Sequence, residues 1–134
     1  MPSIAAQLFL AYQDRDWERA RRLLCDDAVM LWHCSGECFR GAEAIVHVNR
    51  VYPEGWSIRL LQDNLLTDGR WHVVAQVDHG AARFFANSLF TLEHGLISQI
   101  EEYWASAEAP PAWRRGLPGR ARLEATVVEA SGME

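Results

Sequence analysis

The sequence contains no lysine; all 13 of its basic residues are arginine. Schiff-base chemistry, which needs a lysine amine, is therefore excluded. Acidic residues outnumber basic ones, 18 to 13, and with a formal net charge of −5 the basic surface that nucleic acid requires is not expected. Cysteine is scarce. Cys25, Cys34 and Cys38 form an odd set with no recognisable secretory leader, which argues against a disulfide scaffold. No apolar run is long enough to span a bilayer. A soluble, cytoplasmic chain with no membrane partner is expected. Glycine-rich phosphate loops, the G-x-S-x-G elbow and H-E-x-x-H are all absent. His33, Cys34 and Cys38 lie close in sequence, but the distant second ligand pair of a zinc site is missing. No metal and no cofactor is expected. Cys34 and Cys38 fall in a loop-like stretch, where a reactive thiol is one open reading.

What is present is a single domain's worth of apolar sequence. The 134 residues are 49% hydrophobic, enough for one core and too few for two. Ser3 precedes Ile4, Leu8, Ala11 and Tyr12 at helical spacing, so a helix capped by Ser3 is expected. Asp14 or Asp16 then caps a second helix with Trp17, Ala20, Leu23 and Leu24 on one face. Residues 28 to 33 read as a strand, Cys34 to Glu37 as a turn, and 41 to 52 as a third helix stopped by Pro53. From Trp56 onwards four strand-like segments follow, at 56–66, 71–79, 83–92 and 96–104. Asp68-Gly69, Gly80 and His94-Gly95 separate them. Helices first and an antiparallel meander after predict an α+β fold, a curved sheet wrapped over three N-terminal helices. Residues 1–114 form the expected domain. Residues 115–134 form a tail whose 123–129 stretch reads equally as an edge strand or a loose end.

Several segments resemble a known family. Ala11 to Ala28, AYQDRDWERARRLLCDDA, resembles the opening of the nuclear transport factor 2-like superfamily, with Arg15-Asp16 and Asp26-Asp27-Ala28 at its two acidic landmarks. Arg40 to Ile45 resembles the Gly-x-x-x-Ile start of that family's third helix. His94 to Ile97 and Glu102-Tyr103-Trp104 resemble the Asp-Gly-Lys-Ile and Glu-Tyr-Trp signature of the SnoaL-like branch, and PPAWR at 110–114 resembles the ending of bacterial members of that branch. The resemblance covers residues 4 to 114. It implies a cystatin-like cone of mixed or antiparallel sheet, an apolar pocket at its wide end, and a homodimer through the outer sheet face. The family includes ketosteroid isomerases, polyketide cyclases, dehydratases, epoxide hydrolases and non-catalytic modules, so fold does not fix function.

Matching a steroid isomerase puts its helix-borne tyrosine at Leu8, its base at Trp32 and its buried acid near Asn87 or Ser88, so two of the three roles lack a suitable group. For an epoxide hydrolase, Asp78 and Arg83 flank one hairpin, but no partner aspartate lies on the last strand. Strand alternation turns Ile100, Glu102 and Trp104 inward and Glu101 and Tyr103 outward. Glu102 is thus the candidate acid or base, desolvated among Trp32, Trp71, Phe90 and Trp104; the alternative is an ion pair with an arginine that merely holds the sheet. His33 and His79 are candidate helpers, since imidazole titrates near neutrality. Asn49, Asn87 and Ser88, with the indoles, could orient a flat apolar ligand. Two functions fit. One is a cofactor-independent isomerase, cyclase or dehydratase acting on a small apolar or aromatic substrate. The other is a non-catalytic ligand-binding or dimerisation module.

Overall fold

A computed structural model describes residues 1–123. Ser3 caps helix α1 (Ile4–Gln13) by accepting from the Ala6 amide at 3.0 Å. Its own hydroxyl donates to Asp63 at 2.6 Å, which ties the helix start to the sheet. Asp16 caps the short α2 (Trp17–Arg22) through the Arg19 amide. Between them Arg15 adopts φ 56°, a left-handed conformation costly for a residue with a side chain. Its guanidinium stacks 3.4 Å over Trp56 and donates to Glu54 and to the carbonyls of Tyr12, Gln13 and Trp56, which holds the strained turn in place.

Strand β1 (Leu24–Trp32) starts earlier than expected. Leu24 belongs to it and not to α2, because the Ile97 amide reaches the Leu23 carbonyl and draws the chain into the sheet. The expected turn is followed by a strand the sequence did not announce, β2 (Glu37–Arg40), which pairs with β1. Helix α3 (Ala42–Val51) and strands β3 (Trp56–Leu65), β4 (Trp71–His79), β5 (Ala82–Glu93) and β6 (Leu96–Ser106) follow the expected order. Pro110 to Arg114 adds no strand; it carries one exposed 3₁₀ turn. Of the 123–129 stretch, all but Leu123 lies outside the described residues.

The six strands form one mixed sheet in the order β2-β1-β6-β5-β4-β3. Only β1 and β6 run parallel. Helix α1 packs on β3, β4 and β6, and α3 packs on β1. They bury Leu8, Phe9 and Ile45 against Met30, Val73, Phe90, Ile97 and Ile100. Each such side chain contributes roughly 1.5–3 kcal/mol of hydrophobic stabilisation. No helix among the described residues is long and apolar enough to cross a membrane.

Candidate functional site

Register places the inward side chains in transverse rows. Trp71, Phe90, Ile100 and Met30 lie abreast at the closed end. The next row holds Val73, Ser88, Glu102 and Trp32, with Glu37 beyond Trp32 on β2. Above them stand Ala75, Ala86 and Trp104. The helices do not fill the space over this last row. A cavity of about 400 Å³ opens there. Its helical wall is Phe9, Tyr12, Val48, Asn49 and Tyr52. Its sheet wall is Trp56, Ile58, Val77, Phe84, Trp104 and Ser106, and the β1–β2 turn adds Trp32, Cys34, Ser35 and Glu37.

Glu102 sits beneath this cavity. It is 4% exposed, and no arginine reaches it among the described residues. Ser88 Oγ donates to one carboxyl oxygen at 2.7 Å, and the Trp32 indole N–H donates to the other at 2.9 Å. Burial raises its pKa, and those two hydrogen bonds oppose the rise only in part. Trp104 Nε1 lies near enough to favour the charged form too, yet this buried N–H has no partner at full hydrogen-bond geometry. The ion-pair alternative is thus replaced by neutral donors.

Tyr12 places a phenol on the cavity wall. Leu8 is core, at 1% exposure, whereas Tyr12, one turn further along the same helix face, lines the cavity. Asn49 Nδ2 donates to the phenol oxygen at 3.3 Å and to the Ile45 carbonyl at 2.8 Å. The phenol proton meets no protein acceptor among the described residues. Burial first, and the Glu102 carboxyl second, push the Tyr12 pKa well up, so the group is a donor throughout the physiological range.

The other anticipated residues divide by position. Trp32, Asn49 and Trp104 line the cavity, and Ser88 holds Glu102. Phe90 is buried core at the closed end, and Trp71 lies opposite it, away from the cavity. Asn87 is on the outer face, where it meets His72 at 2.6 Å. The histidines are not brought to Glu102. His33 follows inward Trp32, so it turns outward, stacks on Tyr103 and meets Glu101 at 3.0 Å. His79 stays at the rim, between Tyr52 Oη and the Glu54 carbonyl, each at 3.1 Å. Cys34 and Cys38 are exposed free thiols, but Cys38 lies in β2 and not in a loop. No cluster of three metal-ligating side chains occurs among the described residues. Tyr12, Glu37 and Tyr52 are among the wall residues that sequence reasoning passed over, although Tyr52, which caps the end of α3, comes three positions after Asn49.

No protein-family model and no curated protein matches the sequence. Solved structures do match. A Kribbella flavida protein provisionally assigned as a ketosteroid isomerase is 25% identical, with a TM-score of 0.77 over 90% of this chain and 89% of its own. A Burkholderia xenovorans NTF-2 like protein of unknown function is 15% identical, with a TM-score of 0.67 over 89% and 93%. A Sinorhizobium meliloti protein provisionally assigned as a polyketide cyclase is 21% identical, with a TM-score of 0.65 over 76% and 94%.

Proposed function

We propose that this chain, which has the nuclear transport factor 2-like fold of those structures, is a SnoaL-like protein that binds a small apolar or aromatic molecule carrying one oxygen acceptor. The observation that carries this reading is the unspent Tyr12 proton in a largely apolar cavity. A buried donor without an acceptor is costly, and a ligand carbonyl removes that cost. Asn49 holds the phenol from behind, so its O–H is aimed in advance. Glu102, desolvated and free of any arginine, is the group that would move a proton in an isomerase, cyclase or dehydratase reaction needing no cofactor.

A non-catalytic binding module is the second reading. It is favoured by two facts: both Glu102 oxygens are already engaged, and the carboxyl is not on the cavity wall. A flat aromatic ketone such as 2-tetralone separates the two. Tryptophan fluorescence reports binding, and NMR in heavy water reports exchange of the hydrogens next to the carbonyl. Exchange faster with wild type than with Glu102→Gln supports the enzyme. Binding without such exchange selects the module. Absence of binding refutes both.

A further inference from the structure

The cavity wall has a charge pattern that the aromatic-ligand reading does not use. Seven of its side chains are aromatic. No arginine and no histidine lines it among the described residues, and the chain has no lysine. Among the described residues its one acidic wall residue is Glu37, placed beside Trp32 by the β1–β2 register. A site of this kind repels carboxylates and phosphates, since neither a cation nor a helix N-terminus compensates them. For a cation the same wall is favourable.

Trp32 and Trp104 stand with centroids 6.4 Å apart and planes at 71°. Both indoles line the cavity, and two aromatic walls set at a steep angle are a surface that can receive an organic ammonium. The Trp32 N–H donates to Glu102, which pushes electron density into the indole and strengthens its face as a cation acceptor. The fold already seats one cation on an indole, the Arg15 guanidinium over Trp56.

We propose that the cavity selects organic cations: an ammonium group on an apolar frame, held in the Trp32–Trp104 corner with Glu37 at its side. This rests on the ligand-binding reading above and adds the charge of the ligand. The remaining frame fills the apolar wall, and an oxygen on it reaches Tyr12.

Two probes of one shape and different charge test it, phenyltrimethylammonium and tert-butylbenzene. Calorimetry and tryptophan fluorescence on the full chain give both affinities. The cation is expected to bind about tenfold more tightly than its neutral isostere, the advantage of a desolvated cation–π contact. Glu37→Gln should weaken the cation about three- to fivefold and leave the neutral probe unchanged. Because Glu37 is exposed in its strand, this variant keeps the fold. Equal or tighter binding of the neutral probe overturns the charge selection and leaves the binding reading standing. A cation affinity indifferent to Glu37→Gln overturns the role of that residue and with it the proposal. Failure of both probes overturns the proposal together with the binding reading.

Discussion

Glutamine at position 102 should make the protein less sensitive to alkali. Burial raises the Glu102 pKa above the ordinary 4.5. An acid whose folded pKa exceeds its unfolded pKa binds more protons folded than unfolded between those two values. Stability therefore falls as pH rises through that window, and the loss is constant above it. Below the unfolded value the contribution of Glu102 is intact. Each unit of elevation costs the wild type about 1.4 kcal/mol once the carboxyl is ionised. Glutamine has no such proton. Its amide oxygen can keep the Trp32 N–H while its amide nitrogen donates to Ser88 Oγ, so each partner keeps one hydrogen bond to residue 102. Near pH 4 the two proteins should agree to within about 1 kcal/mol. As pH rises above the unfolded value the difference should move steadily towards the variant, and it should level off once the pH exceeds the folded pKa. Urea denaturation at pH steps measures it, and groups that titrate alike in both proteins cancel. Glu102→Ala is the control. It orphans the Trp32 N–H and the Ser88 hydroxyl, at about 1–3 kcal/mol each, and should be weaker than glutamine at every pH. A glutamine-minus-wild-type difference that stays flat from acid to alkali would refute the claim that Glu102 is held in a desolvated site.

Tyr12→Phe should lower affinity for 2-tetralone about tenfold with little change in stability, because the removed O–H has no protein acceptor to lose. Equal affinity would show that the phenol does not touch the ligand. Arg15→Ala should cost about 2–3 kcal/mol in urea denaturation, since it frees Glu54 and three carbonyls and leaves a left-handed turn unsupported; a loss below about 0.5 kcal/mol would mean the clamp is ornamental. A second copy of the chain is expected on the outer sheet face, where Tyr103 lies 44% exposed. Light scattering should then give a dimer for wild type and a monomer for Tyr103→Arg, and a wild-type monomer would remove that expectation.

Much of this fold could be read from local signals. Asp68-Gly69, Gly80 and His94-Gly95 each close a hairpin, and all three glycines have positive φ. The alternation in β4 places Val73, Ala75 and Val77 inward, as the burial bears out. Strand β2 escaped because Glu37 to Arg40 has no apolar pattern; it is a strand only because β1 lies beside it. The site was legible in its sheet half and not in its helical half. Alternation turned Glu102 and Trp104 to the interior, and the same rule applied at Trp32 would have turned His33 outward. It would also have chosen Ser88 over Asn87. Tyr12 was hidden because a tyrosine on a packed helix face reads as core. Whether its hydroxyl meets protein or empty space depends on how far α1 and α3 stand off the sheet, which no single helix encodes.

The place of β6 in the sheet has a consequence for how the chain is made. The strand synthesised last among the six lies between β1 and β5, and its Glu102 meets Trp32 across 70 residues of sequence. A ribosome that has released only the first five strands has produced two incomplete halves, a β1–β2–α3 unit and a β3–β4–β5 meander, each with a bare backbone edge. Such edges invite pairing with other chains. Contacts that distant in sequence also form slowly. The final strand thus acts as a keystone: any delay between release of β5 and release of β6 would prolong an interval in which both edges are bare.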